Sequence, residues 1–313
     1  MPTHLVWFRA DLRIHDNFAL AAACRAKDAN VLALFIATPE QWRQHDMAPR
    51  QAALLSAYLN DLQHSLAEKG IPLIYKEAHD FAAQRQTVQA ICQQYAVTHL
   101  YYNSQYEFNE QQRDRQLEKS LAGVVCEGFD DSVMLAPGSV MTGSHEMYKV
   151  FTPFKNAFIK RLKEGLPECV TAPSVRGETI TDLPAIRLNY PQQSFDETVF
   201  PASEKAAIAR LRQFCAQGAV EYEARRDFPA IEGTSRLSAC LALGALSPRQ
   251  CLHRLLAEQP QALDGGAGAV WLNELIWREF YRHLMTYHPD LCKHRPFIRW
   301  TEQVQWQSNE NLL

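Results

Sequence analysis

The chain has 313 residues, of which 47% are hydrophobic and 21% are charged, and its formal net charge is -3. This composition excludes a disordered chain and predicts a soluble protein with room for two cores. Because the net charge is small, a nucleic-acid partner would have to meet a local basic patch. No charged leader precedes an apolar segment and no window approaches the length of a membrane span, so the sequence predicts a cytoplasmic protein.

The first 130 residues alternate short β-rich runs with longer segments of helical period. Strands are predicted over residues 4–8, 31–37, 72–77, 99–103 and 124–129. Helices are predicted after the candidate N-cap Asp16 and over residues 50–69, 83–95 and 109–123. This alternation predicts an α/β domain over residues 1–130, with a doubly wound parallel sheet that binds ligands outside the carboxyl ends of its strands.

Glycine and proline punctuate residues 131–200, which predicts a long interdomain connector with one helix around Lys155 to Lys163. Beyond residue 200 the helical period dominates, and helices are predicted over residues 204–215, 247–259 and 268–287. Residues 201–313 therefore read as the first part of an all-helical domain. Because few helices are available to cover one another's apolar faces, we expect this domain to be incomplete and the chain to be a C-terminally truncated fragment.

The eight cysteines are scattered along the chain, with no CxxC pair and no histidine group at zinc-ligand spacing. We therefore expect reduced, mostly structural thiols and no metal site. No internal repeat or low-complexity tract accompanies them.

The stretch GTSRLS, residues 233–238, places a glycine, three hydroxyls and an arginine directly before an apolar run. The start of a helix has unpaired backbone N–H groups and a positive dipole end, so this stretch is suited to hold a phosphate. The alternative is an ordinary N-cap, with Thr234 or Ser235 as the capping residue and Arg236 in solvent. The sequence alone leaves both interpretations open.

The common Gly-rich phosphate loops, GxGxxG after a strand and GxxxxGK[ST], are absent from the chain. A phosphate site at residues 233–238 would therefore have a different design. Just upstream, Tyr222 could cover one side of a ligand and Arg226 could reach a phosphate, although either could equally lie on the surface.

The predicted helix over residues 268–287 has two different faces. At about 100° per residue, one arc of about 120° collects aromatic and charged side chains. These are Trp271, Glu274, Trp277, Arg278 and Tyr281. A separate apolar stripe is formed by Leu272, Ile276, Phe280 and Leu284. The stripe suits the core, whereas the aromatic arc is unsuited to solvent and predicts a pocket wall for an aromatic ligand.

The alternative for this helix is packing on both sides, with Glu274 and Arg278 paired. If Glu274 instead lies between indole rings, desolvation favours its protonated form unless Arg278 offsets the effect. Glu274 could then donate or share a proton.

Five segments of the chain resemble the photolyase and cryptochrome family. They are VWFRADLRIHDN, YEFNE, HEMYKVFTPFKNAF, EGTSRLSACLALGALSPRQ and WLNELIWREFYRHL. The whole chain is similar to the bacterial folate-type photolyases that act on cyclobutane pyrimidine dimers. The resemblance implies an N-terminal α/β domain that binds an antenna, a connector, and a helical domain that holds FAD in a bent form.

The resemblance assigns the hydroxyl-rich stretch and the aromatic arc to one FAD site. The residues implied to bind FAD are Tyr222, Thr234, Ser235, Arg236, Leu237, Ser238, Trp271, Glu274, Arg278 and Tyr281. The hydroxyls and backbone amides would surround the phosphates of the flavin.

The resemblance also implies a site for UV-damaged DNA beside the flavin. Glu274 would hydrogen-bond a thymine carbonyl of the flipped-out dimer, and the Trp277 indole would pack against the bases. Arg226 would hold a nearby DNA phosphate. Trp306 matches the surface end of the tryptophan chain that photoreduces the flavin.

An antenna of the methenyltetrahydrofolate type is implied between the two domains. Its candidate ligands are His45, Asn109, Glu110, Cys292 and Lys293, with Glu110 bonding the amino edge of the pterin. The implied mechanism is light absorption by the antenna, energy transfer to reduced FAD, electron donation to the dimer, ring splitting and return of the electron.

Three other interpretations remain open at this point. The first is a cryptochrome-type flavin photoreceptor that signals without repair, although Glu274 and Trp277 favour repair. The second is a nucleotide-binding or electron-transfer flavoprotein that uses its α/β domain, which the missing Gly-rich loop disfavours. The third is an inactive truncated chain. In every case we expect a monomer without membrane contact.

Overall fold

The computed structural model describes residues 1–307, and its N-terminal part is built around a parallel five-stranded sheet. The strands are β1 Thr3–Phe8, β2 Asn30–Ala37, β3 Leu73–Glu77, β4 Val97–Asn103 and β5 Val125–Phe129. Their order is β3-β2-β1-β4-β5, and all four pairings are parallel. The predicted α/β class and all five strands are confirmed. The strands could be predicted because the β-rich runs are short and bounded by turns.

Helices cover both faces of this sheet. They are α1 Phe18–Ala23, α2 Pro39–Gln44, α3 Pro49–Ala67, α4 Phe81–Gln94 and α5 Phe108–Ser120. Side chains alternate across β1, so that Val6 and Phe8 pack with α1 and α3, while Leu5 and Trp7 pack with α4 and α5. Burial on both faces explains why the strands are apolar throughout.

From residue 130 to residue 307 the described chain is helical or irregular. The helices are α6 Phe151–Glu164, α7 Glu204–Gln213, α8 Ala219–Arg225, α9 Ser238–Leu243, α10 Pro248–Glu258 and α11 Ala269–Tyr287. A π-helical turn, Phe214–Gly218, joins α7 to α8, and 3-10 turns lie at Pro260–Asp264, Pro289–Lys293 and Arg299–Gln303. Among residues 1–307, no helix is both long enough and apolar enough to cross a membrane.

The first helix is capped by Asn17 and not by the predicted Asp16. The Asn17 side chain accepts a hydrogen bond from the backbone N–H of Leu20 at 3.0 Å. Asp16 is a residue earlier, at a positive φ of 53°, and its carboxylate accepts from the backbone N–H of Val170 at 2.9 Å. The competing long-range partners of Asp16 were invisible in the local sequence.

The carboxyl end of β1 is where the strand order reverses, which is the usual ligand site in an α/β sheet. Here the turn after α9 occupies that position. The Leu12 N–H donates to the carbonyl of Leu243 at 3.1 Å, and Arg13 donates to the carbonyl of Gly244 at 2.9 Å. Gly244 has φ of 69°, and a Cβ there would overlap the carbonyl oxygen of Ala10. The chain itself therefore fills the position at the strand-order reversal, and the expectation of a ligand outside the carboxyl ends of the strands stays a prediction.

A network of buried charges holds this contact together, and we call it the junction: Arg13, Asp16, Asp131 and Arg249. All four are at most 2% exposed. Arg249 pairs with Asp16 at 3.0 Å and with Asp131 at 2.9 Å, while Arg13 pairs with Asp131. Because the four charges balance and each guanidinium also donates to backbone carbonyls, the network satisfies the condition for burying ions.

Candidate ligand site

A cavity of about 470 Å³ lies between α8, α9 and α11, and we call it the central cavity. Its wall consists of Tyr222, Thr234, Ser235, Arg236, Leu237, Ser238, Leu241, Ala242, Trp271, Glu274, Leu275, Arg278 and Arg282. The hydroxyl-rich stretch and the aromatic side of α11 thus face the same hollow. Its volume is in the range typical of small-molecule sites.

The hydroxyl-rich stretch forms a turn ahead of α9 and not a side-chain cap. The helix begins at Ser238 with Leu237 at the N-cap position, so neither Thr234 nor Ser235 caps it. The Ser235 hydroxyl instead accepts from the Leu237 N–H at 3.4 Å, inside the turn. Arg236 has a positive φ of 52° and pairs with Glu232 at 2.7 Å. Buried Leu237 anchors the turn, which leaves its hydroxyls in the cavity wall.

Only part of the aromatic arc of α11 lies in the wall of the central cavity. Trp271 is 3% exposed, and its ring lies 5.0 Å from that of Phe214. Trp277 stacks on Phe151 of α6, with ring centroids 3.5 Å apart, and lies outside the central cavity. Tyr281 stacks on Trp277 and is 59% exposed. The helical arc therefore predicts Trp271, Glu274 and Arg278 in one wall correctly, whereas Trp277 and Tyr281 form a neighbouring aromatic surface.

Glu274 is paired with Arg226 and not with Arg278. The Arg226 guanidinium donates to a carboxylate oxygen of Glu274 and lies 5.7 Å from the centre of the Tyr222 ring. Arg278 donates to the carbonyl of Ser132 at 2.7 Å. The interpretation of α11 as a helix with an internal Glu274–Arg278 pair is therefore wrong.

The charges of the central cavity favour an anion. Arg236, Arg278 and Arg282 lie in its wall, against one carboxylate from Glu274. Burial and the neighbouring Arg282 lower the pKa of Arg278 to about 10, which still leaves it charged near neutral pH. Burial raises the pKa of the Tyr222 phenol, so that side chain stays neutral. The cavity therefore combines a positive lining with aromatic surface.

Glu279 lies directly behind this wall and is completely buried. Its carboxylate accepts from the Met134 N–H at 2.8 Å and lies 3.4 Å from Arg278. Burial raises the pKa of Glu279 to about 7, because the charges of Arg278 and Arg282 and the hydrogen bonds from two backbone N–H groups offset only part of the desolvation. Glu279 and the connector residue Ser132 together hold Arg278 in place.

Two of the segments predicted to hold an antenna lie next to each other. Asn109 and Glu110 are in the first turn of α5, and Cys292 and Lys293 are in the 3-10 turn Pro289–Lys293. The Lys293 ammonium lies 3.7 Å from the centre of the Phe108 ring, which joins the two segments. Burial raises the pKa of Glu110.

The fifth predicted antenna ligand, His45, is exposed and ends α2. Because α2 follows β2 while α5 follows β4, His45 and Asn109 come from connections on either side of β1. The fold thus assembles four of the five predicted antenna residues from two adjacent segments.

Trp306 is 86% exposed, in agreement with its expected surface position. Four wall residues were not predicted, Leu275 and Arg282 on α11 and Leu241 and Ala242 on α9. A full projection of α11 would have found Leu275 and Arg282, which lie on the same side as Trp271 and Arg278. No local signal could have found Phe151 against Trp277, because α6 is 126 residues away in sequence from that indole.

Comparison with known proteins identifies the family of the chain. A family model described as DNA photolyase matches residues 4–173. The chain is 71% identical over 310 residues to the deoxyribodipyrimidine photo-lyase of Escherichia coli, which covers 99% of this chain and 66% of that protein. It is 70% identical over 315 residues to the enzyme of the same name from Salmonella typhimurium, covering 100% of this chain and 67% of that protein.

A crystal structure of a cryptochrome from Synechocystis is also similar, with a TM-score of 0.79 and 25% identity over 93% of this chain and 62% of that one. The chain thus spans about two thirds of the length of the two bacterial relatives. The family model covers more than half of the chain and both relatives match it nearly end to end, which confirms the resemblance found in the sequence. The chain belongs to the DNA photolyase family.

Proposed function

We propose that this chain serves light-driven repair of cyclobutane pyrimidine dimers in DNA, as a deoxyribodipyrimidine photolyase with FAD as its cofactor. The observation that carries the proposal is the central cavity, where aromatic rings, hydroxyls and arginines line one hollow. The assignment of UV-damaged DNA as substrate also draws on the names of the bacterial relatives.

The residues of the central cavity fit a flavin dinucleotide. Thr234, Ser235 and Ser238 offer hydroxyls, and Arg236 a positive charge, to the pyrophosphate. Trp271 and Tyr222 offer ring faces to the planar part of the cofactor. Arg278, held by Glu279 and by the connector, contributes fixed positive charge at the other end of the wall. When bound, the flavin supplies the electron that opens the dimer.

The partly exposed edge of the central cavity at Glu274, which we call the mouth, is suited to the damaged bases. Glu274 lies in the wall with its side chain 40% exposed, so it can hydrogen-bond the edge of a base turned out of the DNA helix. On the neighbouring aromatic surface Trp277 stacks between Phe151 and Tyr281, so such bases can pack on the exposed Tyr281 ring and against the edge of the Trp277 indole. Arg226, at the end of α8, can meet a DNA phosphate.

The remaining expectations belong to the same proposal. Residues 1–130 form an antenna-binding domain, with His45, Asn109, Glu110, Cys292 and Lys293 around a folate-type chromophore. Residues 201–313 belong to the FAD-binding domain, and residues 131–200 connect the two. Trp306 serves as the outer electron relay, and the protein acts as a monomer in the cytoplasm.

The proposal is tested by adding FAD to the purified 313-residue chain and measuring flavin retention by absorbance and repair of a dimer-containing oligonucleotide under blue light. We expect Arg236→Gln to weaken FAD binding by about tenfold, the scale of one charge-assisted phosphate contact. Arg225→Gln is the matched control, because Arg225 pairs with Glu221 at 2.9 Å along its own helix.

Equal loss in both variants, or a chain that neither retains flavin nor repairs dimers, contradicts the proposal. A chain that retains flavin and responds to blue light without repairing dimers supports the cryptochrome-type photoreceptor instead. The similarity to the Synechocystis cryptochrome makes that the second candidate function.

A further inference from the structure

The ion pair between Arg226 and Glu274 joins the end of α8 to the wall of the central cavity at its mouth. Arg226 follows the last residue of α8, and Glu274 lies 48 residues later, on α11. The two side chains are 35% and 40% exposed. Arg226 is also 3.8 Å from Asp227, and its guanidinium lies over the Tyr222 ring.

Neighbouring arginines are paired in a different way. Arg225 pairs with Glu221 at 2.9 Å and Arg236 with Glu232 at 2.7 Å, each at a spacing of four residues. Each of these two pairs joins residues of a single short segment of the chain. The Arg226–Glu274 pair instead joins two elements, and its acidic member alone belongs to the cavity wall.

We propose that Glu274 restrains Arg226 from undamaged DNA, so that this ion pair sets the preference of the protein for damaged DNA. The inference rests on the proposed function of the central cavity. A phosphate that draws Arg226 away leaves the Glu274 carboxylate without its counter-charge and close to the negative backbone, which disfavours binding. A duplex with all bases stacked offers Glu274 no substitute partner.

A pyrimidine dimer turned into the cavity changes this balance. An ionised Glu274 carboxylate cannot donate to the thymine carbonyl that the resemblance implies as its partner, but it accepts a hydrogen bond from the thymine imide N–H. Glu274 then leaves the Arg226 guanidinium and hydrogen-bonds the edge of the base. Arg226 leaves the Glu274 carboxylate and binds a DNA phosphate. Specificity of this kind arises from a contact that penalises the wrong partner as much as from one that rewards the right partner.

The test is a set of fluorescence anisotropy titrations of the 313-residue chain with two labelled duplexes, one undamaged and one carrying a single thymine dimer, over a range of salt concentrations. The variants are Glu274→Gln, Arg226→Gln and the double variant. Glu221→Gln is the matched control, since it removes the same charge from a pair with similar exposure. All three substituted side chains are at least 35% exposed, and circular dichroism checks that each of the four variants is folded.

We expect Glu274→Gln to bind the undamaged duplex about fivefold more tightly than the wild type, the upper range for releasing one exposed ion pair. The slope of log K against log salt should steepen by up to about 0.9, the contribution of one additional phosphate contact. Arg226→Gln alone should change the affinity for the undamaged duplex little. In the double variant, it should abolish the increase in that affinity caused by Glu274→Gln. Glu221→Gln should leave the slope unchanged.

The inference is overturned if Glu274→Gln and Glu221→Gln bind the undamaged duplex equally, or if the effects of the two substitutions at the mouth are additive. Both of these outcomes are measured with the undamaged duplex only. A wild type that binds both duplexes equally contradicts the proposed function, and the double-variant cycle on undamaged DNA still decides whether Glu274 restrains Arg226.

Discussion

The chain uses arginine–carboxylate pairs in two places with opposite properties. At the junction, Arg249 and its two carboxylate partners are 2% exposed or less, and each also bonds to backbone. At the cavity mouth, Arg226 and Glu274 are each more than a third exposed. The same type of ion pair is therefore permanent at the junction and able to exchange partners at the mouth.

The difference follows from what each pair would lose on breaking. A buried charge without its partner cannot return to water, so the junction is held by the cost of desolvation. An exposed charge is rehydrated at once, so the pair at the mouth can exchange partners at little cost. Burial, and not the identity of the residues, thus separates a structural pair from a functional one.

The largest effect is expected from breaking the junction with Arg249→Met. This change leaves Asp16 and Asp131 buried with only Arg13 between them and should lower the free energy of unfolding by about 3–5 kcal/mol. Urea denaturation followed by circular dichroism measures the loss. Arg254→Met on the same helix is the control, because Arg254 and its partner Glu258 are each 34% exposed. Similar losses in both variants would show that burial does not distinguish the pairs.

An intermediate effect on stability is expected from the ionisation of Glu279, a buried carboxyl whose neighbours offset only part of its desolvation. Its pKa is raised from 4.5 to about 7, so the folded state binds the proton more tightly than the unfolded state does. Stability should therefore fall as the pH rises from about 4.5 to 7, by about 3 kcal/mol in total, and then stay level.

The measurement is urea denaturation of the wild type and Glu279→Gln across this range. Burial lowers the pKa of His283 to about 4, which gives a rise of stability with pH below 6.5 in both proteins. Subtracting the two curves removes that opposing effect. The difference between them should change steadily between pH 4.5 and 7, and parallel curves would exclude an ionising role for Glu279.

The sequence predicted the regular part of this molecule well for a physical reason. Hydrophobic period reports which face of a strand or helix is buried, so all five strands and the pocket face of α11 were found. The hydrophobic period does not show which residues of other helices or strands contact the buried face. The partner that the sequence offers Glu274 in the alternative interpretation is therefore Arg278 on the same helix, whereas the structure supplies Arg226 from the end of α8.

The junction was beyond prediction for the same reason. Arg13 and Arg249 are more than 200 residues apart, and each reads locally as an ordinary surface arginine. Their burial depends on the turn after α9 filling the end of the sheet, a contact between distant segments. Local signals also misplaced the first cap, since Asp16 is drawn into this network and Asn17 caps α1.

The smallest effect on stability is expected at the cavity mouth, where it sharpens the comparison most. Arg226→Gln and Glu274→Gln should each change the free energy of unfolding by less than about 1 kcal/mol, because both side chains are rehydrated when the pair is lost. Urea denaturation of each variant beside Arg249→Met gives the comparison in one experiment. A loss of several kcal/mol at the mouth would mean that this pair also supports the fold, and an exchange of partners on DNA binding would then be too costly. Small losses here, together with a large loss at the junction, leave the pair at the mouth free to act in recognition.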